Sequence, residues 1–229
     1  MEKIWNLKKQ GDTNEVKHLS AALSVNMIIA RLLVQRGISS YNEAKSFFRP
    51  RLSDLLDPFL MKDMDKAVER VERAISLQEK VIIYGDYDVD GTTSVAMMYS
   101  FLKPRIEHIE YYIPDRYSEG YGISPQSINY AVENGFTLVI ALDCGIKAVE
   151  KIADAKNRGL DFIICDHHNP DEIIPPAVAV LDPKRPDCSY PNKELSGCGV
   201  GFKLLQAYCI KNNIEQDEIY DLLDLLAVS

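Results

Sequence analysis

The first 80 residues carry apolar side chains at helical spacing. The segment SAALSVNMIIARLLVQRG ends at Gly37, and SSYNEAKSFFRP opens with a serine that can cap a helix and ends at Pro50. A third segment, MDKAVERVERAISLQ, repeats its apolar residues every three or four positions. Caps, a glycine stop and a terminal proline are common boundaries of helices. The pattern therefore predicts a helical N-terminal region over residues 1–80.

From residue 81 the pattern changes to short apolar runs that alternate with longer amphipathic segments. Short runs rich in β-branched residues are typical of buried strands, and the segments between them have the length of helices. Such alternation favours a parallel sheet, because parallel strands need a crossover connection. We expect an α/β fold over residues 81–229, with a mainly parallel sheet and helices on both faces. The predicted strands are VIIYG, IEYYIP, TLVIALD, DFIICD and AVAVLD.

Composition narrows the class of protein. At 229 residues with 46% hydrophobic content, the chain can bury the core of one large or two small domains. Its five cysteines form no C-x-x-C pair, which disfavours a zinc knuckle or a disulfide framework. No apolar run approaches the roughly 18 residues of a membrane span, and the N-terminus lacks the apolar core of a signal peptide. We therefore expect a globular, cytoplasmic protein with no membrane partner.

The net charge of −8 is unevenly placed along the chain. Residues 1–80 hold 14 basic and 11 acidic side chains, whereas residues 81–229 hold 12 basic and 23 acidic ones. Acidic surfaces disfavour nonspecific binding to a phosphate backbone. Carboxylates that hold divalent cations nevertheless present a much less negative field to a phosphate. Charge alone therefore does not exclude nucleic acid as a partner.

Acidic and imidazole side chains follow three of the predicted strands. Because the carboxyl ends of parallel strands meet at one edge of a sheet, we expect these side chains to lie close together. Hard divalent cations bind several oxygens, and a borderline ion such as Mn²⁺ also accepts imidazole. One aspartate taken alone is explained equally well as a cap or turn residue, but the convergence favours a shared metal site. The residues are Asp86, Asp88 and Asp90 after the first strand, Asp143 after the third, and Asp166, His167 and His168 after the fourth.

The first of these clusters also fits half of an EF-hand calcium loop. Its three aspartates and Gly91 fill positions one, three, five and six, but position twelve, where a glutamate closes the cage, is Met97. A helix should precede the loop, whereas KVIIYG predicts a strand. The sequence therefore disfavours a calcium loop. Gly91 is instead predicted to permit a tight turn from strand to helix, and Thr92 and Thr93 to open that helix, either as caps or with amides available to phosphate.

Three motifs occur in an order and spacing that resemble a known family. GDYDVDGTTS, ALDCGI and CDHHNP resemble motifs I, II and III of the DHH phosphoesterase superfamily, most closely of its RecJ-type single-strand-specific exonucleases. The segments IPDRYSEGYGI and AVLDPKRPDCSYPNKELSGCGVGFKLL fit the same family. The resemblance therefore covers nearly the whole chain. It implies a DHH phosphoesterase domain over residues 81–229 that uses two Mn²⁺ or Mg²⁺ ions.

The resemblance also implies roles for individual residues. Asp86 is expected at the metal site either as a ligand or, like Asp166, as a group that orients ligands. His168 is expected to contact the scissile phosphate or its developing charge, and the alternative is a histidine that only packs. The expected metal ligands are Asp88, Asp90, Asp143, which would bridge two ions, and His167.

Two segments are candidates for substrate binding. RYSEGYG, with Arg116, Tyr117, Tyr121 and Gly122, would supply a guanidinium for phosphate and an aromatic face for a base. In SGCGVGFK, Gly197 and Gly199 form a glycine-rich turn into a helix. The structural alternatives are an ordered surface loop for the first segment and close helix packing for the second.

The chain departs from the family pattern in two places. Proteins of this family carry a fourth motif whose aspartate completes the metal site, and DLLDLLAVS ends about where that motif is expected. Asp221 and Asp224 do not match it. We therefore expect a fragment that binds metal loosely and turns over poorly, if at all. In addition, Tyr84 stands where many relatives have a histidine.

The leading hypothesis is a metal-dependent phosphodiesterase that digests single-stranded DNA from the 5′ end in recombination and repair. By family resemblance, a helicase and a single-strand-binding protein are candidate partners. One alternative is a phosphoesterase for oligoribonucleotides, cyclic dinucleotides or pyrophosphate, against which the RecJ-like connecting segments argue. The other is a noncatalytic scaffold that binds nucleic acid or protein. The intact motifs argue against a scaffold.

Overall fold

Residues 4–229 are described by a computed structural model, in which the chain divides into two units between Leu56 and Asp57. The helix Met64–Ser76, which belongs to the predicted N-terminal region, lies in the second unit. The domain boundary at residue 80 stays a prediction.

The first unit is helical. Its elements are α1 (Thr13–Leu23), α2 (Met27–Val34), α3 (Tyr41–Phe48) and a 3-10 turn at Leu52–Asp54. The segment predicted as one helix is broken, because Ser24 adopts a left-handed backbone (φ 53°) and Asn26 caps α2 by accepting the N–H of Ile28. No single described helix is both long and apolar enough to span a membrane, and α1 with α2 meets that criterion only as a pair bent by 119°. The core of this unit contains Val16, Leu19, Ala30 and Leu33.

The second unit is built on a five-stranded sheet in which every strand is parallel to its neighbours. The strands are β1 (Val81–Gly85), β2 (Ile109–Tyr112), β3 (Leu138–Leu142), β4 (Asp161–Cys165) and β5 (Ala179–Leu181). Their order is β2-β1-β3-β4-β5. The chain thus leaves β1 toward one edge and returns past it to β3. In open α/β sheets, ligands bind outside the carboxyl ends of the strands at such a reversal.

Helices cover both faces of this sheet, and the predicted α/β fold is confirmed. Helices α4 (Met64–Ser76), α5 (Val89–Leu102) and α8 (Gly197–Lys211) pack on one face, against β5, β1 and β3 respectively. On the other face, Ile128 of α6 and Ile152 of α7 share a core with alternate strand residues such as Ile82 and Val139. The helices are α4 (Met64–Ser76, preceded by a 3-10 turn at Pro58–Leu60), α5 (Val89–Leu102), α6 (Pro125–Glu133), α7 (Val149–Asn157), α8 (Gly197–Lys211), α9 (Asp217–Tyr220) and α10 (Leu223–Val228).

Helix α5 begins earlier than the sequence predicts. Asp88 is its N-cap and accepts the N–H of Gly91 (2.9 Å), so Thr92 and Thr93 lie inside the helix. Both threonine hydroxyls donate to backbone carbonyls of the preceding turn (2.7 Å each). The prediction that these threonines open the helix is therefore wrong. Glycine is required at position 91 by packing, since a Cβ there would lie 2.3 Å from the carbonyl oxygen of Asp86.

Candidate metal centre

Asp143 lies at the carboxyl end of β3 with 2% of its surface exposed. Its backbone is left-handed (φ 60°), a conformation that aspartate tolerates better than most residues. Its N–H donates to the carbonyl of Cys165 in β4 (2.8 Å), which fixes the residue between two strands. Burial raises the pKa of its carboxyl to about 6, against the lowering effect of His167. A bound cation would favour the ionised form of this carboxyl.

His167 lies between two carboxylates. Its Nε2 is 3.1 Å from Oδ1 of Asp143 and 3.6 Å from Oδ2 of Asp90. These are ion-pair contacts without the geometry of a directed hydrogen bond, and Oδ1 of Asp143 has no hydrogen-bond partner among residues 4–229. The Asp143 carboxylate raises the pKa of His167. Three predicted metal ligands, from three separate motifs, thus converge beside the reversal of strand order.

Asp90 belongs to the first turn of α5 but is held by another helix. Its Oδ2 accepts the N–H of Gly197 and its Oδ1 accepts the N–H of Cys198, both at 2.7 Å. These two residues begin α8, and the first amides of a helix have no acceptor within the helix itself. Both oxygens of this carboxylate are therefore oriented by backbone donors.

Asp86 and Asp88 occupy the turn between β1 and α5. Asp86 is fully buried, and its Oδ1 accepts the N–H of Tyr87 (2.8 Å), whereas its Oδ2 has no partner in the described part of the chain. Burial, with the nearby charges of Asp88 and Asp166, raises the pKa of Asp86. Asp88 is oriented by its role as the cap of α5. The turn thus brings two more carboxylates to the same edge of the sheet.

Asp166 organises the loop that follows β4. Its Oδ1 accepts the backbone N–H groups of His167 (2.7 Å) and His168 (3.1 Å) and contacts Nδ1 of His168 (2.7 Å), while its Oδ2 accepts the N–H of Ile146 (2.9 Å). Burial opposes its ionisation, but these hydrogen bonds outweigh burial and lower the pKa of Asp166. The carboxylate orients His168 so that Nε2 points away from it.

The donor set suits a divalent cation. One ligand atom from each of Asp143, His167 and His168 lies within 4.8 Å of the other two. A buried carboxylate oxygen that accepts no hydrogen bond is unfavourable unless a cation or water meets it, and both Asp143 and Asp86 have one. Carboxylate oxygens with imidazole nitrogens suit Mn²⁺, and Mg²⁺ accepts the oxygens. The residues therefore fit the predicted metals.

Arg116 and Tyr121 lie beside this centre and are linked through Tyr87. The guanidinium carbon of Arg116 is 5.4 Å from the centre of the Tyr87 ring, which meets the Tyr121 ring edge-on at 6.4 Å. The Tyr121 hydroxyl is 3.2 Å from Nε2 of His168. Tyr87 is not among the residues predicted from the sequence, although its place between Asp86 and Asp88 was an available signal.

Tyr84 supports the loop that carries Tyr121. It is 1% exposed, stacks on Tyr112 at 5.6 Å, and donates its hydroxyl to the buried carbonyl of Gly122 (2.8 Å). Burial raises its pKa. The residue that stands in place of a histidine therefore packs in the core and holds the Tyr121–Gly122 loop. The substrate-binding role of Gly122 stays a prediction.

The two glycines at the start of α8 have occupied amides. The N–H of Gly197 is donated to Asp90, and the N–H of Gly199 to the hydroxyl of Ser196 (3.1 Å). The substrate-binding role predicted for both glycines stays untested. The structure does bring Gly197 directly against the metal centre.

Asp182 is a further buried carboxyl that was not predicted from the sequence. It follows β5, is fully buried, and has an Oδ2 without a partner within residues 4–229, while its Oδ1 accepts the N–H of Lys184 (2.7 Å). Burial raises its pKa to about 6. The signal that found Asp143, an aspartate directly after an apolar strand, was present in AVAVLD as well.

A cavity of about 670 Å³ opens beside His168. Its walls are the Tyr121–Ile123 segment and the residues from Cys144 to Lys151, which form the loop after β3 and the start of α7. Sites for small molecules commonly have volumes of roughly 300–1,000 Å³. The space next to the metal centre is therefore large enough for part of a substrate.

The fold and the site together define an α/β protein with a carboxylate and imidazole metal centre at the carboxyl edge of its sheet. The family model described as the DHH family, N-terminal domain, matches residues 80–229. The chain belongs to the DHH family, which confirms the resemblance of its three motifs.

Among curated proteins, the chain is 42% identical over 224 residues to the single-stranded-DNA-specific exonuclease RecJ of Bacillus subtilis, covering 98% of this chain and 28% of that protein. It resembles a crystal structure of exonuclease RecJ bound to manganese, with a TM-score of 0.67, 28% identity and coverage of 76% of this chain and 43% of the other. A structure of RecJ from Thermus thermophilus in complex with Mn²⁺ gives a TM-score of 0.75 at 25% identity, covering 94% of this chain and 30% of the other. The chain thus spans less than half the length of each of these relatives.

Proposed function

We propose that this chain provides the metal-binding catalytic domain of a phosphodiesterase that digests single-stranded DNA from the 5′ end. The observation that carries the proposal is the convergence of Asp90, Asp143 and His167 beside the β1–β3 switch point. The similarity to proteins named single-stranded-DNA-specific exonucleases supports the choice of substrate. The manganese in two related structures supports the choice of cofactor.

In this proposal the metal ligands are Asp88, Asp90, Asp143 and His167, with Asp86 as a further carboxylate. Bound Mn²⁺ or Mg²⁺ would supply a water acidic enough to attack at neutral pH and would neutralise charge on the phosphodiester. The protein holds the ligands in place from three elements, so little reorganisation accompanies metal binding. The Asp143 carboxyl, whose buried Oδ1 accepts no hydrogen bond from residues 4–229, would be available as one of these ligands.

His168 and Asp166 act on the substrate side. Asp166 holds Nδ1 of His168 and raises the pKa of the imidazole, which favours a proton on each ring nitrogen. Nε2 then donates to an oxygen of the scissile phosphate, where negative charge develops. Tyr121, 3.2 Å from Nε2, lies where the phosphate would approach.

In this proposal the substrate is bound by Arg116, by Tyr121 and by the cavity beside His168. Arg116 contacts a phosphate, and the exposed ring of Tyr121 stacks on a base. The cavity next to the metal centre accepts the adjoining part of the nucleotide. Single strands are favoured because stacking on a side chain needs an unpaired base.

The test is hydrolysis of 5′-labelled and 3′-labelled single-stranded DNA in the presence of Mn²⁺ or Mg²⁺, by the protein at its full encoded length. We expect mononucleotides to be released from the 5′ end. Duplex DNA and a reaction without metal serve as controls. Cleavage of a dinucleotide or pyrophosphate without any cleavage of single-stranded DNA would contradict the proposed substrate. It would support a small-substrate phosphoesterase instead.

The proposal places the protein in the cytoplasm, in DNA recombination and repair, with a helicase and a single-strand-binding protein as partners. Its support is the resemblance to RecJ-type proteins. Co-purification of either partner with the tagged protein from a lysate treated with nuclease tests the partners, since contacts bridged only by DNA are then lost.

A further inference from the structure

The first turn of α8 joins the metal centre through its backbone. Gly197 and Cys198 donate one N–H each to the two oxygens of Asp90, at 2.7 Å. Such charge-assisted bonds are stronger than neutral ones, and the helix N-terminus also favours a negative charge. The side chain that reaches the turn comes from α5, 107 residues earlier in the chain. The first two amides of α8 are therefore bound by the carboxylate of Asp90, an expected metal ligand.

The same turn packs on a second expected ligand. A Cβ added to Gly197 would lie 2.5 Å from Cβ, 2.6 Å from Oδ1 and 2.7 Å from Cα of Asp143. Two of these three atoms belong to the rigid part of the residue, and Asp143 is itself fixed by its hydrogen bond to Cys165. No side chain fits at position 197 unless the carboxylate or the helix moves.

Helix α8 has little freedom to move. Every residue from Gly197 to Cys209 is buried, and the helix packs against α5, α4 and β3. One turn further on, a Cβ on Gly201 would already lie 3.0 Å from Leu142 and 3.2 Å from Met97. The position of the first turn is thus set by the core of the unit, so strain at position 197 falls on the carboxylates.

We propose that the first turn of α8 is a structural part of the metal centre, in which Gly197 and the amide of Cys198 position Asp90 and Asp143 for metal binding. This inference rests on the metal site of the proposed function and gives the SGCG segment a role other than substrate binding. Gly197 is a positioning residue, because it touches the ligands and not the cation. Its requirement for glycine comes from space, since its backbone is not left-handed.

The first experiment measures Mn²⁺ affinity of the full chain from the EPR signal of free Mn²⁺, for the wild type, Gly197→Ala and Gly199→Ala. Gly199 is a matched control two residues along the same helix, where a Cβ would find only ordinary contacts of 3.4 Å and longer. Loss of groups that orient metal ligands weakens binding about 10–100-fold, and we expect this of Gly197→Ala. Gly199→Ala should bind like the wild type.

A second pair of variants tests the amide without adding volume at position 197. Cys198→Pro removes one N–H from Asp90, and proline is tolerated in the first turn of a helix, whereas Cys198→Ala removes the thiol and keeps the N–H. We expect weaker Mn²⁺ binding for Cys198→Pro than for Cys198→Ala. This pair decides the matter if Gly197→Ala does not fold, which circular dichroism reports.

The outcomes separate the inference from the proposed function. A wild-type chain that binds no Mn²⁺ would contradict the metal site itself. Wild-type affinity in Gly197→Ala, or equal affinity in the two Cys198 variants, would overturn the role of the α8 turn and leave the metal site standing.

Discussion

Replacing Tyr84 with phenylalanine tests how the substrate loop is held. The change removes the hydroxyl that donates to the carbonyl of Gly122 at 2.8 Å and leaves the ring stacked on Tyr112. Both partners of the hydrogen bond are buried, so the carbonyl is left without a donor and without water. An unsatisfied buried acceptor costs about 1–3 kcal/mol, and we take about 2 kcal/mol as the expected loss of stability.

That loss is large enough to measure by heat or urea. For a domain of this size, about 2 kcal/mol lowers the melting temperature by roughly 4–8 °C. Tyr190→Phe is the matched control, because Tyr190 is as buried as Tyr84 but its hydroxyl has no hydrogen bond among residues 4–229. We expect the control to change stability little. Equal melting temperatures for the two variants would refute the reasoning.

Tyr84→Phe also separates two roles of the loop. Because the hydroxyl holds Gly122, next to Tyr121, we expect a raised KM for single-stranded DNA. Mn²⁺ affinity should stay at the wild-type value, since the hydroxyl bonds to the loop and not to a carboxylate. A weakened affinity for Mn²⁺ would show that Tyr84 acts on the metal centre after all.

Three further predictions concern a metal ligand, the contact between Arg116 and Tyr87, and the stability of the fold. Asp143→Asn should lower Mn²⁺ affinity more than about 100-fold in a calorimetric titration, because loss of a ligand should weaken binding more than loss of a group that orients a ligand. The circular dichroism spectrum should not change, since asparagine also tolerates the backbone angle φ of 60° at this position. Tyr87→Leu should raise the KM for single-stranded DNA about 2–5-fold, because the cation–π contact with Arg116, worth about 0.5–1 kcal/mol, is lost. Tyr87→Phe keeps an aromatic ring and should leave this KM unchanged. In an Arg116→Ala background, Tyr87→Leu should have no further effect on KM. Burial opposes ionisation of Asp63, but hydrogen bonds from Lys66 and Arg185 outweigh it and lower the pKa. This carboxylate therefore stabilises the fold above its ordinary pKa, and the contribution is lost as the pH falls through the lowered value. Asp63→Asn should accordingly lower the urea midpoint at pH 7 and match the wild type only when the pH is below the lowered pKa of Asp63.

The strands were predictable because their signal is local. VIIYG is apolar at every position, and all five residues of β1 are buried in the structure. The break between α1 and α2 was not predictable in the same way. Ser24 has a left-handed backbone, although no glycine or proline in the sequence indicates a break there. Only Asn26, a common N-cap residue, indicates the start of the second helix. Similarly, any of three aspartates could have capped α5, and pattern alone did not select Asp88.

The candidate site was predictable as far as topology determines it. Parallel strands bring Asp143 and His167 together whatever the details of the loops, and the structure places them 3.1 Å apart. Contacts between distant segments lay beyond the sequence. The bond from Gly197 to Asp90 depends on how α8 packs across the sheet, and the ring contact that joins Arg116 to Tyr87 depends on the path of an exposed loop.

The charge at this edge of the sheet explains why a cation belongs there. The buried carboxyl groups receive unequal numbers of hydrogen bonds from the protein. Asp166 receives several hydrogen bonds and its pKa is lowered, whereas Asp86, Asp143 and Asp182 each keep an oxygen that accepts no hydrogen bond from residues 4–229, and their pKa values are raised. Burial without donors favours the protonated acid, and a bound divalent ion would favour the ionised carboxylate. The acidic excess of residues 81–229 thus includes buried carboxyls whose ionisation a bound cation would favour.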